Sequence, residues 1–326
     1  MLTRGATWVV TTGEAGMRSQ AMGLASAIGL PLVEKRVSIR APWRWLPSGA
    51  LPLPLSAIGD DSDPLSPPWP RLIVCCGRRA AGAALLVKRL SGGRALAAFV
   101  QNPELARARF DLVVAMPHDG VTGRNVVTVG TALHPVTPDV LARAGGAWRE
   151  RLLSGRPRFA GVLIGGDNAN YRLSAAVTAR LLRVLTKAHA EHGLGAAITP
   201  SRRTGEAARR LIADAIAGKT WATMWNGAGE NPYLGILALA ERLIVTGESI
   251  SMISEALATG RPVHILPLEG RGRRHESFLA RIVREKLVSP IAGDDLDWSF
   301  AGPGPVNATA EPAARLRAML ARQAAD

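Results

Sequence analysis

The sequence predicts an α/β fold made of two βα domains, each a parallel sheet flanked by helices. Three observations carry this. Short apolar runs of strand length alternate with segments of helical spacing along the whole chain. Runs such as Arg71–Cys76 and Leu112–Met116 lack polar alternation, as expected of strands buried on both faces of a parallel sheet. Glycine and polar residues gather after the runs, on the sheet edge where open α/β folds bind ligands. At 326 residues the chain is long for a single core, so two domains are expected.

Composition narrows the class. Hydrophobic residues make up 47% of the chain, ample for globular packing. No apolar run approaches the roughly 18 residues of a membrane helix. The chain enters a strand at Thr7–Thr12 without a charged and then apolar leader, so no signal peptide and a cytoplasmic location are expected. Cys75 and Cys76 are adjacent in a strand and point to opposite faces, which suits small buried residues rather than a disulfide or a metal site. The net charge is +14. The basic residues are dispersed and no aromatic-rich RNA-binding motif accompanies them, so no nucleic acid is expected. Phosphate-bearing small molecules and an anionic membrane surface are the partners this charge suits.

The elements follow in order. Thr7–Thr12 is a strand, Gly13-Glu14-Ala15-Gly16 a tight turn, and Met17, Gln20, Ala21, Leu24 and Ile28 give a helix its apolar spacing. Gly13 and Gly16 let a ligand approach the backbone, with Arg18 and Gln20 as polar candidates. The stretch lacks the G-x-G-x-x-G fingerprint of dinucleotide folds. Leu32–Val37 is the next strand. Pro42–Pro70 then holds eight prolines with Trp43, Trp45 and Trp69, which excludes regular helix and interior strand. Its Trp and Leu residues beside Arg40 and Arg44 suit a bilayer interface; the simpler expectation is a loop packed on its own domain with a mobile acidic tip at Asp60–Asp63. Arg71–Cys76, Leu96–Gln101, Leu112–Met116 and Val126–Val129 are further strands. His118 and Asp119, after the third of these, are candidate acid/base groups, although an Asp at a turn more often caps backbone. Thr137 caps a helix through Leu153, and the Ser154–Arg158 break is the expected domain boundary.

The second half repeats this logic. Phe159–Ile164 ends in Gly165-Gly166-Asp167-Asn168, and a helix follows over about 174–191. Leu194–Thr199 ends in Pro200-Ser201-Arg202-Arg203-Thr204, where Arg202 and Arg203 suit phosphates and Thr204 is a simple helix cap. Trp221–Trp225 is a strand, and Asn231-Pro232 opens a helix. The stretch from Leu243 to Leu266 organises the rest. Strands Leu243–Val245 and Val263–Leu266 flank a helix whose apolar face is Ile250, Ile253, Ala256 and Leu257. Thr246-Gly247-Glu248-Ser249 is a polar turn able to cap it, and Gly260 and Pro262 stop it. The first N–H groups of that helix can hold a phosphate, and Glu255 lies about one turn further along. A last helix covers 311–324.

Two βα domains, a helix near the middle and a helical tail resemble the two-domain glycosyltransferase fold called GT-B. There, two Rossmann-like domains face a central cleft and a C-terminal helix crosses back to the first. The expected domains are therefore 1–155, 156–300 and a tail helix at 301–326. Glu255, Gly260 and Pro262 match a pattern of sugar-nucleotide transferases that build peptidoglycan precursors. That resemblance implies diphosphate contacts at Ser251 and Met252 and a ribose contact at Glu255. A wider resemblance is carried by Gly13-Glu-Ala-Gly with Gln20, Gly77-Arg-Arg, Pro117-His-Asp, Leu163-Ile-Gly-Gly, Ser201-Arg-Arg-Thr, Asn231-Pro-Tyr and Thr246-Gly-Glu-Ser-Ile-Ser-Met-Ile-Ser-Glu. Together these resemble the mitochondrial-fission Elm-type family, which has bacterial members without established activity and plant members associated with mitochondrial division. Glycosyltransferases of this fold often place a His just after the first glycine turn; Met17-Arg18 stands there instead, so no general base is assigned at that position.

The expected function is binding of a nucleoside-diphosphate sugar on Gly165, Gly166, Asp167, Ser201, Arg202, Arg203, Ser249, Ser251, Met252 and Glu255. Helix N–H groups and arginines would stabilise the leaving diphosphate, with no metal or other cofactor required. A lipid-linked or anionic acceptor would approach near Gly13, Gly16, Arg18, Gln20 and His118. The alternative is a binding or scaffold protein of the same fold without turnover.

Overall fold

The computed structural model of the chain describes residues 5–47 and 53–325. Two compact units divide it: one runs to Pro135 and includes the chain from Asn307, the other spans Val136–Val306. Each holds a six-stranded sheet in which every pair is parallel.

In the first unit the strands are β1 (Thr7–Thr11), β2 (Leu32–Arg36), β3 (Leu72–Cys76), β4 (Leu96–Val100), β5 (Leu112–Ala115) and β6 (Val126–Thr128), in the order β2-β1-β3-β4-β5-β6. β1, β3 and β5 are buried throughout, which explains their unbroken apolar runs. β2 is an edge strand and mostly exposed. The helices are α1 (Ala15–Ser26) and α2 (Arg78–Leu90). Cys75 and Cys76 are buried free thiols, and burial pushes both well above the usual thiol range.

The proline-rich connection between β2 and β3 is folded onto this unit where it is described. Ile39 bridges to Ile58, and Trp69 packs against Trp8 with ring centroids 6.0 Å apart. The expected mobile acidic tip is instead tied down. Asp60 pairs with Arg40, Asp61 accepts from the Ser38 hydroxyl, and Asp63 Oδ2 accepts the Arg36 N–H at 2.6 Å. Trp45 and Leu55 stay 66% and 57% exposed; the intervening residues 48–52 lie outside the described set.

The second unit contains β7 (Phe159–Ile164), β8 (Tyr171–Arg172), β9 (Gly195–Pro200), β10 (Ala222–Met224), β11 (Arg242–Thr246), β12 (Val263–Leu266), β13 (Glu269–Gly270) and β14 (Ser289–Pro290). Its main sheet runs β10-β9-β7-β11-β12-β14, and β8 and β13 form a separate antiparallel ribbon. The helices are α3 (Pro138–Leu153), α4 (Ala175–His192), α5 (Glu206–Ile216), α6 (Tyr233–Leu239), α7 (Ile250–Leu257) and α8 (Arg273–Arg284). Thr137 and Ser174 cap α3 and α4 by accepting the N–H groups of Val140 and Val177.

Helix α3, placed in the first domain by the sequence, belongs to the second unit. It packs on α6 so closely that a Cβ at Gly235 would lie 2.4 Å from the Trp148 ring. The division therefore falls at Pro135/Val136, ahead of the glycine break at 154–158. A last helix, α9 (Ala310–Gln323), returns to the first unit. It buries Leu316 and Leu320 there, and Arg71 Nη2 donates to the Leu320 carbonyl at 2.8 Å.

Candidate functional site

The second sheet reverses its winding between β7 and β11. From β7 the chain steps outward through β9 to β10; from β11 it steps the other way through β12 to β14. In open α/β sheets such a switch point leaves a crevice beyond the strand ends, because the helices that follow the two strands pack on opposite faces. The loops that meet there carry most of the residues the sequence assigned to a nucleotide.

Three loops are joined by side-chain bonds. After β7, the Gly165 N–H donates to Thr246 Oγ1 at 2.8 Å and the Gly166 N–H to Glu248 Oε1 at 2.7 Å. Gly166 holds φ +121°, and a Cβ there would lie 2.3 Å from the Arg203 carbonyl oxygen. Glycine is therefore required by both conformation and space. After β9, the Ser201 hydroxyl donates to the Gly165 carbonyl, and the Arg203 N–H donates to Ser201 Oγ at 3.1 Å. The Asp167 N–H donates to the Arg203 carbonyl at 3.2 Å. Asp167 is committed locally: its Oδ1 accepts the Leu173 N–H and its Oδ2 pairs with Arg172 at 3.2 Å. Arg203 Nη2 lies 3.4 Å from Glu248 Oε1, whereas Arg202 is exposed and makes no ion pair among the described residues.

After β11 comes the turn into α7. Ser249 stands at the N-cap, yet its side chain makes no capping bond. The first helical bond is from the Ile253 N–H to the Ser249 carbonyl at 3.0 Å, so the N–H groups of Ile250, Ser251 and Met252 precede the ladder. These three residues are partly exposed. They form a donor set with the positive end of the helix behind it, which suits an oxyanion. Glu255 is buried one turn on and accepts from the Tyr233 hydroxyl. Burial and the Glu255 carboxylate push the Tyr233 hydroxyl well above its usual range, so it remains a donor. Asn231 Oδ1 accepts the Tyr233 N–H at 3.0 Å and the Thr199 hydroxyl at 3.2 Å, which fixes the start of α6.

Several residues do other work than expected. Thr204 does not cap α5; the N-cap is Gly205. Thr204 Oγ1 instead donates to the Gly165 carbonyl at 2.9 Å and accepts the Ser201 N–H, bracing the loop. The sequence singled out neither Tyr233 nor Glu248 as a site residue. Tyr233 had a signal in its place just after Asn231-Pro232; Glu248 was read only as part of a capping turn.

In the first unit, Gly13 holds φ +95° at the end of β1, but Gly16 lies inside α1, so the turn rests on one glycine. Arg18 is engaged bidentately by Glu34, with both N–O distances 2.6 Å. Gln20 and Asp119 do converge. With Gln101, Met116, Val129 and Leu133 they line a small cavity of about 10 Å³ beyond β4 and β5, room for about one water. Gln101, at φ +86°, is one of few non-glycine residues in the left-handed region. Asp119 Oδ2 accepts the Met116 N–H at 2.8 Å, the capping role an acid at a turn commonly takes, and His118 Nε2 is 3.9 Å from its other oxygen. Among the described residues no cluster of three His, Cys, Asp or Glu side chains could hold a metal ion, and no helix is long and apolar enough to cross a membrane.

This fold is found in solved structures. The chain superposes on UDP-GlcNAc 2-epimerase from Methanocaldococcus jannaschii with a TM-score of 0.57 at 12% identity, covering 96% of this chain and 98% of that one. For the Neisseria meningitidis epimerase bound to UDP-GlcNAc the TM-score is 0.55 at 11% identity, covering 97% and 99%. These likenesses establish the two-domain GT-B type of fold. In sequence, the chain is 29% identical over 276 residues to the mitochondrial fission protein ELM1 of Arabidopsis thaliana, covering 77% of this chain and 64% of that protein's length. A shorter match, 29% over 138 residues, links 40% of the chain to 38% of an uncharacterized Rickettsia prowazekii protein. Residues 15–320 match the family described as mitochondrial fission ELM1, and the chain belongs to that family.

Proposed function

We propose that the chain binds a nucleoside-diphosphate sugar at the switch point of its second sheet. One observation carries this reading: the N–H groups of Ile250, Ser251 and Met252, which precede the α7 ladder, follow directly on the turn whose Glu248 accepts the Gly166 N–H and pairs with Arg203, the chain neighbour of Arg202. That combination supplies several fixed donors and two cations to one diphosphate. Glu255, held by Tyr233, supplies a carboxylate that accepts from ribose hydroxyls. The structural neighbours include an epimerase bound to UDP-GlcNAc, which supports a uridine nucleotide as the first ligand to try.

Transfer of the sugar follows from the same donors. A departing diphosphate gains negative charge, and pre-aligned N–H groups and arginines stabilise it more than they stabilise the bound substrate. A second reading is a binder without turnover, favoured by Asp119 being held as a cap by Met116. Exposed Trp45 and Leu55, with Arg40 and Arg44 nearby, support a lipid-linked acceptor on an anionic surface.

A thermal-shift panel of UDP, GDP, ADP and their sugars tests the site. Ligand at about a hundredfold its Kd adds about 2.7 kcal/mol of stability. Glu255→Ala abolishes most of the shift. No shift with any nucleotide at millimolar concentration sinks the reading. Release of free nucleoside diphosphate in the presence of membrane extract then separates transferase from binder.

A further inference from the structure

The turn that opens α7 holds an acid at its most enclosed point. Glu248 is 2% exposed, and its side chain is fully buried. Oε1 takes the Gly166 N–H and faces Arg203, while Oε2 has no hydrogen-bond partner among the described residues. An ionised carboxylate with one oxygen bare in the interior is costly, and a proton on that oxygen removes the charge and lowers the cost.

The groups around it are few. The loop after β7 presents the Gly166 N–H and, at β8, Tyr171; the loop after β9 presents Arg203; β11 presents Thr246. Helix α8 meets this turn with the apolar Leu279 beside Gly247, and its Glu276 acts on Tyr171. Asp167, on the same loop as Gly166, is engaged by Arg172 and the Leu173 N–H. Burial raises the Glu248 carboxyl above its usual range, opposed first by its own backbone N–H, then by Thr246, the Gly166 N–H and, least, Arg203. Arg203 is thus the cation that favours the ionised form. Its side chain is 41% exposed, so it can turn to an arriving anion.

We propose that Glu248 is a positioning residue that couples diphosphate binding to uptake of one proton: the diphosphate draws Arg203 away, and Glu248 is protonated on Oε2 while Oε1 keeps the Gly166 N–H. The proton comes from solvent and forms one O–H bond; no other bond breaks, and Arg203 and the diphosphate keep their charges. The inference rests on the nucleotide reading above. A diphosphate beside an unprotonated, unpaired Glu248 would be repelled, so binding weakens where the proton is scarce.

The test is calorimetric titration of UDP-GlcNAc into the full chain between about pH 5.5 and 8.5, in two buffers of different ionisation enthalpy. The phosphate diesters of this ligand do not titrate in that range. The expected result is net proton uptake approaching one per ligand, with Kd weakening by up to about tenfold per pH unit on the alkaline side. Glu248→Gln retains an acceptor for Gly166, and its affinity no longer depends on pH. Arg203→Gln removes the ion pair beforehand, so uptake falls even if Glu248→Gln does not fold. Binding by the parent protein with no proton uptake overturns the proposal and leaves the nucleotide reading standing. Absence of binding at every pH overturns both. Proton uptake unchanged in Arg203→Gln overturns the exchange with Arg203.

Discussion

The Tyr233 hydroxyl donates to Glu255 Oε2, tying the first residue of α6 to the second turn of α7. A carboxylate held this way is fixed in direction, which is what recognition of a ribose diol needs. Tyr233→Phe removes that restraint and little volume. The expected costs are about 1 kcal/mol in unfolding free energy and roughly 3- to 10-fold in nucleotide affinity. Urea unfolding and ligand titration measure the two, and unchanged affinity would show that Tyr233 does not orient Glu255.

Gly166 tests the braced turn. Alanine there must hold φ +121° with its Cβ 2.3 Å from the Arg203 carbonyl oxygen, so Gly166→Ala is expected to cost about 2–4 kcal/mol. Gly146→Ala, inside α3 where a Cβ meets open space, serves as the control and should change stability little. Equal midpoints for the two variants in denaturant would contradict the geometry.

The two arginines should separate. Arg202 is exposed, so Arg202→Ala lowers diphosphate affinity by about tenfold and leaves the melting temperature of the free protein in place. Arg203 also balances buried Glu248, so Arg203→Ala lowers both. Differential scanning fluorimetry with and without UDP distinguishes the cases. Loss of stability in Arg202→Ala would contradict this assignment.

His264 gives the second unit a pH dependence. It is fully buried in β12, and burial with nearby Arg242 lowers its pKa from 6.5 to about 4. The folded state thus refuses a proton that the unfolded chain accepts. Stability is complete above about pH 6.5 and falls as pH drops toward about 4, by the order of 3 kcal/mol. Glu248, whose folded pKa is raised, works in the opposite sense, because its stability contribution is lost as pH rises. Comparing the parent with His264→Leu isolates the histidine; an identical pH slope in the two would count against it.

Some of this is legible in the sequence. Unbroken apolar runs such as Leu72–Cys76 are consistent with strands buried in a parallel sheet, and the polar turns after them with its strand ends. Gly165, Arg203 and Glu255 stood out for the same reason. Glu248 did not, because an acid in a Thr-Gly-Glu-Ser turn looks like a cap until the partner strand is known. Arg18 stood as a polar candidate for a ligand because its partner Glu34 lies on β2, a different element from the α1 that carries it.

The sequence by itself determined the alternation of strands and helices, because periodicity is set by each side chain's local choice between water and core. It also determined which turns carry glycine and charge. Tertiary structure decided what those turns do. Strand order places β7 beside β11, so Gly166 and Glu248 meet across many intervening residues. It also decided that α3 packs with the second unit and α9 with the first. Such pairings depend on which buried faces fit one another in space, and a linear pattern of apolar and polar residues does not encode that choice.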